Sequence, residues 1–246
     1  MRIINGRKGS RCILSLLAML IMGSHVQAEG EMERLAVPID RAVINAPARL
    51  QHLQNPIVLV DGFFRRSKVR SEVGMRLLAT FRNVENTLRR HGAQVFLNNR
   101  DAFGTIEHNA ELLARDIDHA LAVSGKDKVH IIAHSKGGID ARYMITHLGY
   151  GDRVATLVTI ATPHRGTVLA ELFLEYLGPA SEAAEEVVNS FANVIGDSQP
   201  QSKEVLQQMT RESMARFNEE TPDDPRVRYI SYAGRIDWRY LDPVYA

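Results

Sequence analysis

Residues 128–138 read KVHIIAHSKGG. Val129, Ile131 and Ile132 form a short apolar run, the pattern of a strand buried on both faces. Ala133, His134, Ser135, Lys136 and Gly137 follow as a sharp turn, and residues 139–147 take helical spacing. Strand, tight turn with a central serine, then helix is the context of a G-x-S-x-G nucleophile elbow. Ala133 stands where the first glycine would be and is small enough for strand and helix to pack closely. Such a turn forces Ser135 into a strained backbone conformation with its hydroxyl above the sheet edge. It also sets the Lys136 amide at the helix N-terminus, facing any oxyanion formed on a carbonyl that Ser135 attacks.

Residues 56–60 (PIVLV) are a second buried-strand run and end in Asp61-Gly62-Phe63-Phe64. A glycine directly after a strand permits a backbone that turns an amide inward. The Phe63 amide is thus a candidate second oxyanion donor, although a plain apolar loop residue fits this segment equally well. Residues 75–90 place Leu77, Leu78, Phe81, Val84 and Leu88 on one helical face, closed by His91-Gly92. Residues 93–97 read as a strand. Residues 106–123 repeat apolar positions at Ile106, Ala110, Leu113, Ile117 and Leu121, an amphipathic helix closed by Gly125. Residues 154–160 are the next apolar strand and run into ATPHRGT.

Alternating helices and apolar strands predict an α/β fold with a doubly wound, mostly parallel sheet, which binds ligands at the strand C-terminal ends. Asp61-Gly62, Ser135 and residues 162–166 all follow such ends and are expected to line one crevice. Residues 168–195 are apolar and acidic by turns. They predict one or two amphipathic helices, either a lid over that crevice or ordinary packed surface helices. Residues 203–217 predict one helix with Leu206, Met209 and Met214 inward, and residues 227–232 a further strand.

The first 28 residues differ in kind. Arg2, Arg7, Lys8 and Arg11 precede an apolar stretch, residues 12–22, that is short for a bilayer span, and Val26-Gln27-Ala28 forms a small-residue cleavage site. This predicts a secretory signal peptide over 1–28, a secreted or periplasmic location, and one domain over 29–246. Loss of the signal removes four of the 30 Lys and Arg residues and none of the 29 Asp and Glu, leaving a net charge of −3. That balance gives no sign of a nucleic-acid partner. Cys12 is the single cysteine, so the mature chain offers neither a disulfide nor a thiol nucleophile.

In order along the chain, PIVLVDGFF, LRRHGAQVF, SGKDKVHIIAHSKGG, VATLVTIATPHRGT, LQQMTRESMARFNEE and YISYAG resemble the bacterial secreted triacylglycerol lipases of the α/β-hydrolase fold. That group includes the Pseudomonas and Burkholderia enzymes. The resemblance implies Ser135 as nucleophile and the amides of Phe63 and Lys136 as oxyanion hole. It implies a structural role for His164 and a lid after Gly166. It also implies a lipid ester substrate met at a lipid interface, no organic cofactor, and a dedicated folding helper in many relatives.

Two departures stand out. Asp61-Gly62 replaces the family's His-Gly, and a carboxylate there opposes developing negative charge unless it points away or is paired, for which Arg65 and Arg66 are the candidates. The fold's chain order is nucleophile, acid, histidine. After Ser135 only His147 and His164 remain, while Asp237 and Asp242 come early for the acid and no histidine follows them. Either His164 or another group is recruited as base, or, the favoured reading, the acid and histidine are expected beyond residue 246, which implies a fold lacking its last strand and helix and, without that segment's acids, no metal. The readings kept open are an active hydrolase, a C-terminally truncated and impaired lipase homologue, a non-catalytic acyl-lipid-binding protein, and an acyltransferase or thioesterase.

Overall fold

Each of the five stretches read as strands forms one, and neighbouring strands pair in parallel throughout. The computed structural model describes residues 54–62, 81–101, 103–177 and 201–233, all within one unit spanning residues 48–234. The elements are β1 (Ile57–Val60), α1 (Arg82–Arg90), β2 (Val95–Leu97), α2 (Ile106–Ser124), β3 (Val129–His134) and α3 (Gly137–His147). A 3₁₀ turn at Tyr150–Asp152 leads to β4 (Val154–Ile160), α4 (Val168–Leu177), α5 (Ser202–Gln208), α6 (Arg211–Glu220) and β5 (Arg228–Tyr232). The signal segment 1–28, Phe63, Arg65, Arg66, residues 178–195, Asp237 and Asp242 lie outside the described residues.

The strand order is β2-β1-β3-β4-β5. Parallel neighbours need a crossover between them, which the intervening helices supply. The chain passes from β1 to β2 on one side and returns to the other side of β1 as β3. The order therefore reverses between β1 and β3, and a crevice opens at their C-terminal ends. Asp61-Gly62 and Ser135 stand at those two ends.

Helix α2 is fixed at both termini. The Thr105 hydroxyl accepts from the His108 amide at 3.3 Å, and Gly125, at φ 65°, donates its N–H to the Leu121 carbonyl at 2.9 Å. A cap of the first kind contributes about 1 kcal/mol. Ala110, Leu113, Ile117 and Ala120 are wholly buried along one stripe. With Ala141, Met144 and Ile145 of α3 they cover one sheet face, against Val58, Val60, Ile131, Ala133 and Leu157. On the other face Ile57, Leu59 and Val95 pack with Phe81, Ala93 and Leu88. A third cluster joins Ile106 and Ile139 to Ala170, Met209 and Met214, so α4, α5 and α6 lie over the starts of α2 and α3.

Two expectations are corrected. β1 is buried at every position, but β3 alternates: Val129, Ile131 and Ala133 are buried while His130, Ile132 and His134 are half-buried. The single helix expected over 203–217 is two. The Thr210 hydroxyl accepts from the Ser213 amide at 3.2 Å and so caps α6, competing with the amide ladder that would have joined it to α5. Met209 and Met214 still reach the same core, from opposite sides of the break.

Candidate active site

Ser135 has the conformation that the elbow requires. Its φ is 54°, a left-handed backbone that costs a serine about 1–3 kcal/mol. Flanking hydrogen bonds hold it there: its amide donates to Ile160 O at 2.9 Å, and its carbonyl accepts from Gly138 N at 3.1 Å. The turn after β1 is in contact with it. A Cβ on Gly62 would stand 2.7 Å from Ser135 Cβ, and one on Gly137 would stand 2.5 Å from Asp61 O. Only glycine lets the two turns approach this closely.

Helix α3 starts without a side-chain cap. Among the described residues the Lys136 amide has no acceptor and the Ser135 hydroxyl no hydrogen-bond partner. A helix N-terminus leaves such amides unspent, and here one adjoins the serine. The Lys136 amide thus stands at the N-terminus of α3 next to the serine, while the Phe63 amide lies outside the described residues. His134, the residue before the serine, is half-buried beside Gly62, and burial lowers its pKa.

The side chains behind the elbow carry an arrangement that the sequence reading missed. Lys136, Asp140 and Arg100 are all buried, at 0%, 1% and 1% exposure. Lys136 Nζ donates to Asp140 Oδ1 at 2.8 Å, and Arg100 Nη2 lies 2.9 Å from Asp140 Oδ2. Arg100 Nη1 donates to the Asp61 main-chain carbonyl. Burial drives the Lys136 ammonium down to about 8, Arg100 pushes the same way, and Asp140 opposes both. The signal was visible as Lys136 and Asp140 at i, i+4, a pairing that usually belongs to a solvated helix face.

The histidines after Ser135 are engaged elsewhere. Arg142 Nη1 stands 3.4 Å from His164 Nδ1, and arginine has no acceptor, so Nδ1 must accept. The proton then sits on Nε2, which donates to Thr159 Oγ1 at 3.0 Å. His164 lines a cavity of about 250 Å³ with Arg142, Thr159, Asp223 and Tyr229, and none of Asp61, Gly62 or Ser135 lines it. His147 contacts Thr221 Oγ1 at 3.0 Å and stacks on Tyr143. His108, which the sequence reading did not single out, pairs with Asp101 at 2.9 Å.

Burial, then the Arg142 cation, lowers the His164 pKa, with Asp223 opposing; burial lowers His130 as well. The unfolded chain, with histidines near the ordinary value of 6.5, takes up protons first. Stability is therefore present in full above about pH 6.5 and is lost as pH falls through the lower folded values. Urea midpoints measured from pH 7.5 to 5 are expected to drop on acidification, and a His164→Gln variant is expected to show a shallower drop. An unchanged slope in that variant would remove His164 as a cause.

Among the described residues there is no helix long and apolar enough to cross a membrane and no His, Cys, Asp and Glu group that fits a metal ion.

Comparison with known proteins brings in relatives of named function. Triacylglycerol lipase 2 of Saccharomyces cerevisiae is 34% identical over 156 residues, 61% of this chain and 44% of the yeast protein. A triacylglycerol lipase of Vibrio cholerae is 30% identical over 212 residues, 76% of this chain and 65% of that one. A Burkholderia plantarii triacylglycerol lipase is 28% identical over 179 residues, 68% of this chain and 48% of its own. The chain spans about half the length of the curated relatives it matches.

Among solved structures, the metagenomic carboxyl esterase MGS0156 superposes with a TM-score of 0.54 at 21% identity, over 73% of this chain and 49% of that one. The mature form of Bacillus licheniformis lipase BlEst2 gives 0.52 at 23%, over 72% and 64%. These likenesses show the fold, a mostly parallel sheet with flanking helices. Residues 54–177 match the PGAP1-like alpha/beta domain. That match takes in half of the chain, from just before β1 to the end of α4, and the protein belongs to the PGAP1-like alpha/beta domain family.

Proposed function

We propose that the chain is a carboxylic ester hydrolase acting on lipid esters, with Ser135 as its nucleophile. One observation carries the reading: a strained serine whose hydroxyl has no hydrogen-bond partner among the described residues, beside the unspent Lys136 amide, in the β1/β3 crevice. The names of the lipase relatives support the substrate class. In this reading Ser135 Oγ attacks the ester carbonyl and gives its proton to a general base not found among the described residues. The Lys136 and Phe63 amides stabilise the tetrahedral oxyanion. The C–O bond breaks, the alcohol leaves with a proton, and water then cleaves the acyl-enzyme to release the acid and restore the hydroxyl. Val168, Leu169 and Leu172 of α4 are about half exposed and supply an apolar contact for lipid. Export directed by residues 1–28 belongs to the same proposal.

A fluorophosphonate probe tests it. Peptide mass spectrometry of the labelled full chain is expected to find the adduct on Ser135, together with hydrolysis of p-nitrophenyl esters. A folded chain without adduct or turnover, yet able to bind a fluorescent fatty acid, would replace the hydrolase by the acyl-lipid-binding reading. Transfer to an added alcohol at the expense of hydrolysis would favour the acyltransferase.

Gly62→Ala is a sharper probe of geometry. Its Cβ would press on Ser135 Cβ from 2.7 Å, and both atoms are fixed to backbone, so one turn must shift. A displacement of this kind is expected to slow labelling of Ser135 by about 10²-fold. A wild-type labelling rate in this variant would mean that the contact between the two turns does not set reactivity.

A further inference from the structure

Three buried charges behind an acyl-transfer site call for a physical reason. Arg100, Asp140 and Lys136 come from the segment after β2 and from the first turns of α3, and none is exposed by more than 1%. Stability does not supply the reason. Desolvating such ions offsets their mutual attraction, and apolar replacements of buried ion clusters are often neutral or better. Two cations against one anion also leave a net positive charge inside the protein. The contacts of the three side chains show what the cluster accomplishes.

The guanidinium is a rigid planar fork. One prong, Nη2, is ion-paired with Asp140 Oδ2 on α3 at 2.9 Å, without the alignment of a hydrogen bond, and the other, Nη1, donates to the Asp61 carbonyl at the end of β1. Arg100 therefore ties the turn after β1 to the elbow helix. Lys136 holds the second oxygen of Asp140 at 2.8 Å, which keeps that carboxylate from rotating away from the fork. The same Asp61 oxygen lies against Gly137, where a Cβ would come within 2.5 Å of it.

The Asp61 carbonyl and the Gly62 amide belong to one planar peptide. Holding the oxygen sets the tilt of that plane, and with it the position of Gly62 against Ser135. We infer that Arg100, braced by Asp140 and Lys136, is a positioning residue that clamps the Asp61–Gly62 peptide against the elbow at the spacing acyl transfer needs. The role in acyl transfer rests on Ser135 being the nucleophile; the clamp itself does not.

Two variants of the full chain test this: Arg100→Lys, which keeps the charge and loses the fork, and Arg100→Met, which loses both. Hydrogen exchange at residues 58–62 is expected to quicken by about 10-fold or more, the scale of one lost charge-assisted hydrogen bond. Exchange across residues 110–120 of α2 is expected to stay as in the wild type. With a p-nitrophenyl phosphonate probe, the limiting rate of Ser135 labelling is expected to fall by about 10²-fold, while the half-saturating concentration moves by less than about 3-fold.

Unchanged exchange at 58–62 overturns the clamp. So does an equal loss of protection everywhere, or failure of both variants to fold, since each would make the cluster a plain stability element. Faster local exchange with an unchanged labelling rate overturns the role in acyl transfer. A wild-type chain that never labels at Ser135 defeats the nucleophile reading instead, and exchange then still decides whether Arg100 is a clamp.

Discussion

Ser135→Ala is expected to abolish the phosphonate adduct and to lower ester turnover by about 10³-fold or more, with the fold retained. The size follows from what the serine does in the proposed reaction. Without its hydroxyl no acyl-enzyme forms, and any remaining rate comes from water attacking an ester held in the crevice and polarised by the amides. Removal of a serine nucleophile elsewhere costs up to about 10⁶-fold, with oxyanion binding accounting for the residue. Alanine keeps the Cβ, so the Gly62 contact and the φ of 54° are not relieved. The variant therefore separates chemistry from architecture. Single-turnover assays with a p-nitrophenyl ester, run beside labelling, read it directly. An adduct that persists in the variant would place the nucleophile elsewhere, and turnover that persists without one would make the reaction non-covalent.

Asp140→Asn is expected to cost about 3–5 kcal/mol of stability, the range for removing one partner of a buried ion cluster. Asparagine is nearly isosteric, so packing is preserved and the loss is electrostatic. Arg100 and Lys136 would be left as two buried cations with no anion between them. Arginine cannot shed its proton. Lysine can, and burial and Arg100 already hold Lys136 down to about 8. Without the opposing pull of Asp140 it would lose its proton more readily, so the cost is expected to be larger at pH 6 than at pH 9. Urea denaturation at both values measures the difference. Lys136→Met is the companion variant: it leaves a one-to-one Arg100–Asp140 pair and is expected to be near neutral. Equal costs for the two substitutions would mean that charge is not what binds the cluster together.

Much of the fold and half of the site were legible along the chain. The strands announced themselves because a parallel sheet covered by helices demands consecutive apolar residues, as in the IVLV of β1. Helix α2 was legible from its apolar stripe and Gly125, and the elbow from a serine between strand and helix. These are local signals: the residues that show them are the residues that respond to them. The break at Thr210 was also local, a threonine three residues before a serine amide, and it went unread because the apolar spacing continues across it.

What lay beyond the sequence is long-range. Lys136 and Asp140 look like a solvated pair until Arg100, 40 residues back in the chain, is packed against them by the β2–β1–β3 strand order. The tautomer of His164 is likewise decided by Arg142, which only the stacking of α3 against β4 brings to Nδ1, while Thr159, five residues back, accepts the hydrogen bond from Nε2. Sequence by itself determined the α/β class and put the serine at the end of a strand, because backbone propensity and side-chain period act between near neighbours. Tertiary structure alone decided which charges are buried and what they hold, because burial and ion pairing depend on residues that meet only once the sheet has formed.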